Sequence, residues 1–159
     1  MEGAPKPNEH HRRLHKLAGT WVGAEQLHPS PWSPGGTRTG RYDHQVRCDG
    51  FFVIGDYVQM GDDNAVTYAG HSVFGVDPAT REVTWYWVDS MGHPPPSPSR
   101  GNWEGDTLLL HGRDGKGALH GRYTFAFEGN DRFRFQLENT RDGGQTWQPF
   151  MEATYRRTA

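Results

Sequence analysis

The sequence predicts an all-β protein: a single antiparallel up-and-down barrel of about ten strands preceded by one short helix. Apolar residues make up only 33% of the 159 residues, aromatic residues reach 13%, and 21 Gly and 11 Pro are spread along the chain. Short aromatic segments separated by turn residues are typical of β-sheets. A chain of this length is expected to form one core. We therefore expect an N-terminal tail and helix (1–18) packed on the end of one barrel domain (19–159).

The one helix that the sequence predicts runs from Asn8 to Leu17. Asn8 is a favourable N-cap residue, because its side chain can accept hydrogen bonds from the first free amides. Leu14 and Leu17 would supply the apolar contacts of this helix. The helix is expected to be short and to lie against the barrel end.

Strands are predicted wherever a segment is bounded by Gly, Pro, Asp or Asn. The predicted strands are 20–28, 37–48, 51–60, 66–76, 82–90, 99–103, 107–111, 119–127, 132–139 and 147–157. Turns such as Asp49-Gly50 and Gly129-Asn130 tolerate the positive φ of tight hairpins. No segment is long enough for a helical crossover, so consecutive strands should pair antiparallel. Closure of such a sheet removes both edges and predicts an interior pocket.

The longest irregular connection is the proline-rich segment from Gly92 to Pro98. Its prolines favour an extended, stiff conformation. We interpret this segment as a rigid surface connection, and the alternative is a lid over one mouth of the barrel.

Charge and hydropathy argue against several partners. The formal net charge of −2 gives no broad basic field, so nucleic acid is not expected to bind. The longest apolar run, Phe51 to Ile54, is far shorter than the roughly 20 residues of a spanning helix, and no membrane association is expected. The first residues lack the apolar region of a signal peptide, which predicts a cytoplasmic protein. The single Cys48 agrees with a reducing compartment.

Two sequence features at the ends of the predicted barrel carry a family resemblance. Gly19-Thr20-Trp21 opens the first strand, and Tyr155-Arg156-Arg157 closes the last. The arrangement resembles the calycin signature of lipocalins, which implies a tryptophan that plugs the closed barrel end and an arginine that stacks on it. Trp21 and Arg156 are the predicted pair, with Arg157 as the alternative.

The resemblance extends along nearly the whole chain. It is carried by the segments 14–25, 49–52, 87–90, 101–106 and 142–157. Together they are similar to a bacterial family of comparable length, which is catalogued as a domain of unknown function and grouped with the calycin-like barrels. The resemblance implies the barrel fold and brings no activity or ligand. Thr140 to Trp147 also resembles the Asp-box hairpin of sialidase propellers, which implies an architectural turn.

Candidate ligand-binding residues follow from the alternation of side chains along a strand. If Trp21 points inward, Glu25 does too. Two indoles beside a carboxylate would make a recognisable ligand wall in the fifth strand. Polar residues that share a strand face with apolar ones complete the set, and the sequence leaves open which face points inward in the third and fourth strands. The predicted ligand-binding residues are Glu25, His44, Asp56, His71, Trp85, Trp87, Asp89 and Glu152.

These residues favour the binding of a small, partly hydrophobic molecule in the barrel. The alternative is an enzyme that uses interior Asp, Glu and His as general acid and base on a hydrophobic metabolite. No cofactor and no metal site is predicted, since His10, His11 and His15 lack a completing ligand set. Haem with His44, His71 or His93 as axial ligand is a further alternative, and a homodimer through the barrel wall is compatible with the pattern.

Overall fold

A computed structural model describes residues 3–31 and 33–158 of the chain. The elements are α1 (Glu9–Leu14), a 3-10 turn (His15–Leu17), β1 (Gly19–Leu27), β2 (Gly36–Arg47), a 3-10 turn (Cys48–Gly50), β3 (Phe52–Met60), β4 (Val66–Val76), β5 (Val83–Asp89), β6 (Ser99–Glu104), β7 (Thr107–Arg113), β8 (Leu119–Glu128), β9 (Arg132–Asn139) and β10 (Gln148–Thr158). The predicted all-β class and the short N-terminal helix are confirmed.

The ten strands form a closed antiparallel barrel in the order β1-β10-β9-β8-β7-β6-β5-β4-β3-β2. Closure is made by β1, which pairs with β2 on one side and with β10 on the other. On the β10 side, Thr20 pairs with Thr158 and Leu27 pairs with Met151. The predicted meander of consecutive hairpins, closed by its first and last strands, is therefore confirmed.

The helix is shorter than its predicted span because its last turn tightens into a 3-10 turn at His15–Leu17. Asn8 caps it as expected, accepting from the backbone amide of His10 at 2.9 Å. The amide of Asn8 in turn donates to Nδ1 of His11 at 3.1 Å, which completes a capping box in which histidine replaces the usual acid or amide. Leu14 and Leu17 are fully buried. In the described residues, 3–31 and 33–158, no helix is long and apolar enough to cross a membrane.

Alternate side chains of every strand face the interior, and aromatic rings fill its closed end. Trp21 is fully buried there, and its Nε1 donates to the carbonyl oxygen of Leu17 at 3.1 Å. Its ring contacts Phe133, with ring centres 4.8 Å apart, and Phe127 at 6.0 Å. Trp21 thus ties the turn after α1 to the barrel core.

The arginine that stacks on Trp21 is Arg157, so the prediction of Arg156 is wrong and its named alternative is right. Cζ of Arg157 lies 4.3 Å from the centre of the Trp21 ring. Its guanidinium also donates to the carbonyl oxygens of Ala18 and Asn130. The physical reason is alternation: Tyr155 is buried in the core, so Arg157 shares its inward face while Arg156 is exposed.

The hairpin between β9 and β10 has the predicted architectural contacts. Oδ1 of Asp142 accepts from the amide of Thr146 at 2.9 Å, and Oγ1 of Thr140 accepts from the amide of Gly144 at 2.9 Å. Trp147 packs outside the barrel, with Cζ of Arg122 4.4 Å from its ring centre. These contacts hold the turn at the open end of the barrel.

The pairing between β5 and β6 is short. Only three residue pairs connect β5 to β6, and the last of them is Trp85 with Ser99. Trp87 and Asp89 continue β5 toward the open end without a partner on β6, where the segment Gly92–Pro98 takes over as an irregular and largely exposed connection. The wall therefore loses its regular pairing beside the open end.

We expect Arg157→Ala to lower the free energy of unfolding by about 1–3 kcal/mol, because it removes a cation–π contact and two hydrogen bonds. Arg156→Ala is the matched control and should change it by less than about 0.5 kcal/mol. Urea unfolding followed by circular dichroism measures both. Equal effects of the two substitutions would contradict the assignment of Arg157.

Candidate functional site

The centre of the candidate site is the carboxylate of Glu25, on the inward face of β1. Glu25 is only 1% exposed. Its Oε2 accepts a hydrogen bond from Oη of Tyr57 at 2.6 Å and another from Oη of Tyr155, while Oε1 accepts from Nε2 of Gln59 at 3.0 Å. Three donors from β3 and β10 therefore hold one interior carboxylate.

A glycine on the neighbouring strand makes room for this carboxylate. A Cβ atom at Gly40 would lie 2.0 Å from Oε2 of Glu25. Any larger residue would push the carboxylate away from Tyr57 and Tyr155. Gly40 is therefore a component of the site, although it donates no functional group.

Burial raises the pKa of Glu25 above its ordinary value, and the hydrogen bonds from Tyr155, Tyr57 and Gln59 oppose part of that rise. No salt bridge among the described residues reaches this carboxylate. Arg38 pairs with Glu25 in the β1–β2 register but donates to the carbonyl oxygen of Thr37 at 2.9 Å. The carboxyl group of Glu25 is thus held by neutral donors alone.

A second interior carboxylate, Asp89, lies at the open end of β5. Its Oδ2 accepts from Oη of Tyr68 at 2.5 Å and from Nε1 of Trp87 at 2.8 Å. Its Oδ1 accepts from the backbone amide of Met91 at 2.9 Å. Asp89 therefore orients two aromatic side chains and fixes the start of the turn that follows β5.

Three rings connect the two carboxylates. The ring centres of Tyr57 and Trp87 are 5.6 Å apart, those of Tyr57 and Tyr68 are 6.1 Å apart, and those of Tyr68 and Trp87 are 6.4 Å apart. We call Tyr57, Tyr68 and Trp87 the aromatic triangle. Tyr57 is buried, while Tyr68 and Trp87 are partly exposed, so the triangle reaches from the core toward the open end.

Trp85 lies one layer deeper than the aromatic triangle. It is 6% exposed, its Nε1 donates to Oγ of Ser72 at 2.9 Å, and its ring stacks on Phe74 with centres 5.5 Å apart. Tyr123 of β8 packs against Trp85 with centres 4.9 Å apart and is partly exposed. Trp85 thus forms the floor beneath Trp87 and Tyr123.

His44 faces inward but lies toward the closed end of the barrel. It is 4% exposed, and its Nδ1 donates to the carbonyl oxygen of Leu17 at 3.1 Å. Its Nε2 is buried and has no hydrogen-bond partner among the described residues. Burial lowers the pKa of His44 to about 4, although the bond to Leu17 opposes that shift. His44 is therefore neutral at pH 7 and serves the core.

Three of the predicted ligand-binding residues face the outer wall, so the expectation that they line the interior is wrong. Asp56 and His71 pair across β3 and β4, with Nδ1 of His71 2.8 Å from Oδ1 of Asp56, and the Asp56 side chain is 77% exposed. Glu152 is exposed and lies 3.3 Å from Nε2 of His28. Each is directly adjacent on its strand to a buried residue, Tyr57, Ser72 or Met151 respectively, which places it on the opposite face.

The structure thus brings together Glu25, Trp85, Trp87 and Asp89 of the predicted set, and it leaves His44 in the closed half. Sequence reasoning missed Tyr57, Gln59, Tyr68 and Tyr155, which supply the donors of the site. Alternation from Val53 could have found Tyr57 and Gln59, because all three are buried on one face of β3. The contacts between strands distant in sequence could not have been found this way.

The three histidines considered as haem ligands lie in three different environments. His44 is enclosed in the core, His71 is bound to Asp56 on the outer wall, and His93 is exposed in the connection between β5 and β6. None of these three histidines is a partly exposed side chain on the inward face of the open half.

The outer wall carries two shallow grooves of its own. One, of about 360 Å³, crosses β8, β9, β10, β1 and the start of β2, over small side chains such as Ala24 and Thr154. The other, of about 580 Å³, continues toward the closed end beside Arg132, Arg134 and Arg156. Both are lined mainly by outward-facing side chains, and Glu25, Phe135 and Ala153 also border the first of them.

Comparison with known protein families decides the membership of the chain. Residues 6–157 match the family described as a protein of unknown function, DUF1579. The chain belongs to the DUF1579 family. No curated protein matches this DUF1579 sequence. The resemblance to a family of unknown function and the barrel fold that were expected from the sequence are thus confirmed.

Solved structures share the barrel of this DUF1579 protein at low sequence identity. Rv2717c from M. tuberculosis has a TM-score of 0.71 and 15% identity, over 96% of this chain and 99% of that chain. The S-type phycobiliprotein lyase CPES from Guillardia theta has a TM-score of 0.66 and 11% identity, over 96% and 99% of the two chains. EF1p2_mFAP2b bound to DFHBI has a TM-score of 0.51 and 11% identity, over 94% and 100%. At these identities the likeness shows the fold.

We expect Gly40→Ala to lower the free energy of unfolding by about 1–3 kcal/mol, because its Cβ would displace a carboxylate that three buried donors hold. Gly115→Ala is the matched control, since a Cβ there meets open space, and it should change stability by less than about 0.5 kcal/mol. Chemical unfolding measures both. A wild-type-like Gly40→Ala variant would show that the carboxylate is not fixed.

We expect His44 to make stability fall as the solution becomes more acidic. Its folded pKa of about 4 lies below the unfolded value of 6.5, so the unfolded chain takes up the proton first. Its contribution is fully present above about pH 6.5 and declines by about 3 kcal/mol as pH falls to 4.

The measurement is the difference in unfolding free energy between the wild type and His44→Gln at several pH values, which separates His44 from Glu25, whose raised pKa acts in the opposite direction. His93→Gln is the control for the loss of an exposed histidine, because His93 lies in the exposed connection between β5 and β6. A difference that is flat between pH 6.5 and 4 would contradict the burial of a neutral imidazole.

Proposed function

We propose that this DUF1579 protein binds a small, partly hydrophobic molecule through the open end of its barrel, against Trp87, Tyr68 and Tyr123. The observation that carries the proposal is the partial exposure of these three inward-facing rings. Inward rings deeper in the barrel, such as Phe74 and Phe125, are almost completely buried. Exposed aromatic surface inside a concave wall is typical of small-molecule sites.

The architecture around these rings supports the same conclusion. Trp85 forms a rigid floor, and its stacking on Phe74 and bond to Ser72 fix its orientation. Polar groups are few and fixed, which is the usual composition of a site that combines apolar contact with specificity. The short β5–β6 joint places Trp87 beside the irregular part of the wall, where a ligand could approach from the side as well as from the end.

The fold neighbours are compatible with this function. One is a phycobiliprotein lyase, and another was solved bound to DFHBI. These properties belong to those proteins. They support the proposal to the extent that barrels of this general architecture hold small molecules.

A neutral, solvent-sensitive dye such as Nile red tests the proposal directly. We expect saturable binding with increased fluorescence, and an affinity about tenfold weaker in Trp87→Leu, because an aromatic contact is lost. Tyr123→Leu should weaken binding in the same direction, because Tyr123 of β8 is a partly exposed ring that packs on Trp85 beside Trp87.

Tyr86→Leu is the matched control, because Tyr86 is the next residue on β5 but is 47% exposed on the outer face. It should bind the dye as the wild type does. Absence of saturable binding by the folded wild type, or equal weakening by Tyr86→Leu and Trp87→Leu, would overturn a site inside the barrel.

A further inference from the structure

The charge and ring chemistry of the open half indicate which class of small molecule it accepts. Two carboxylates, Glu25 and Asp89, bind opposite sides of the aromatic triangle. Tyr57 donates to Glu25, whereas Tyr68 and Trp87 donate to Asp89. Acidic groups and electron-rich rings therefore form two hydrogen-bonded groups, which meet through the packing of Tyr57 on Tyr68 and Trp87.

Each carboxylate retains capacity for one more donor. An ionised carboxylate offers about four lone-pair sites. Oε2 of Glu25 accepts two bonds and Oε1 accepts one. Oδ2 of Asp89 accepts two bonds and Oδ1 accepts one. Oδ1 of Asp89, which is partly exposed, can therefore accept a hydrogen bond from a ligand without losing a bond within the protein, whereas Glu25 is 1% exposed and enclosed by its donors.

No cationic side chain within residues 3–31 and 33–158 forms a salt bridge with either carboxylate. Arg38, the cross-strand partner of Glu25, donates to Thr37, and His44 is neutral and binds Leu17. The guanidinium of Arg157 is at the other end of the barrel, over Trp21. The negative charge in the open half thus has no internal counter-ion.

The aromatic rings attract the same kind of ligand as the carboxylates do, a cation. The faces of tyrosine and indole rings attract cations. A phenol or indole that donates to a carboxylate is polarised by it, which increases electron density on the ring. Tyr57, Tyr68 and Trp87 all donate to a carboxylate, so all three rings of the aromatic triangle favour a cation over a neutral group or an anion.

We propose that the ligand is an amphipathic cation, an alkylammonium or quaternary ammonium group on an apolar body, with the cation held by Asp89 and the aromatic triangle and with Glu25 enclosed behind Tyr57. This inference rests on the proposed function and specifies its ligand class. The apolar body would lie along Trp87 and Tyr123 toward the open end. The cation would supply the charge that the protein itself does not provide beside the two carboxylates.

The test compares three dansyl amides with the same alkyl chain, which ends in trimethylammonium, in tert-butyl or in carboxylate. The tert-butyl group matches the shape of the ammonium group without its charge. We expect the wild type to bind the ammonium probe about tenfold more tightly than the tert-butyl probe, and the carboxylate probe most weakly. Only binding that Trp87→Leu weakens is counted, because the arginine-lined outer groove could hold the carboxylate probe.

Substitutions assign the preference to the two carboxylates. Asp89→Asn and Glu25→Gln remove the charge and keep the side-chain shape and one acceptor oxygen. Asp89→Asn, at the partly exposed carboxylate, should reduce the preference for the ammonium probe by about threefold or more, and Glu25→Gln, at the enclosed one, should reduce it less. Glu152→Gln and Asp56→Asn are the matched controls on the outer wall and should retain the full preference. Circular dichroism and thermal unfolding verify that each variant is folded.

The outcomes separate this inference from the proposed function. Binding of all three probes with equal affinity, or a preference that Glu152→Gln and Asp56→Asn reduce as much as the interior substitutions do, overturns the cationic ligand and leaves a hydrophobic site. Tightest binding of the carboxylate probe inside the barrel also overturns it. If no probe binds the folded protein, the proposed function fails and the ligand class fails with it.

Discussion

Closure of the sheet through β1 is the constraint on which the rest of the structure depends. Because β1 pairs with β10 as well as with β2, every strand has two neighbours, and each side chain must face either a shared interior or the solvent. Trp21 and Glu25 therefore lie on one line inside the barrel, four residues apart on the same strand. One end of that line is closed by aromatic packing, and the other carries the polar groups of the candidate site.

The alternation of side chains explains how much of this arrangement could be predicted. Turn residues determined the number of strands well, because Gly, Asp and Asn at hairpins are required by local backbone geometry. The inward direction of β1 followed from Trp21. The choice of Arg156 instead of Arg157 and the inward placement of Asp56, His71 and Glu152 failed for one reason: a shift of one residue in phase moves a side chain to the other face.

The hydrogen-bond partners of Glu25 could not be predicted for a different reason. Glu25, Tyr57 and Tyr155 are distant in sequence and meet because the ring brings β1, β3 and β10 around one interior. Local patterns contain no information about such a meeting. Gly40 illustrates the same point, since its small size matters only because the carboxylate of a neighbouring strand occupies the space above it. The inward direction of Glu25 was predictable from Trp21 on the same strand, but the hydrogen-bond partners of Glu25 were not.

The short joint between β5 and β6 gives the ring a seam. The neighbouring β4–β5 joint has seven residue pairs and the β6–β7 joint has five, against three at the seam. Fewer ladder bonds must break for the wall to part there than anywhere beside it, so fluctuations that widen the barrel concentrate at this position. Since Trp87 and Asp89 lie on β5 beside this short pairing, any widening of the barrel there also exposes the aromatic side chains that line its interior.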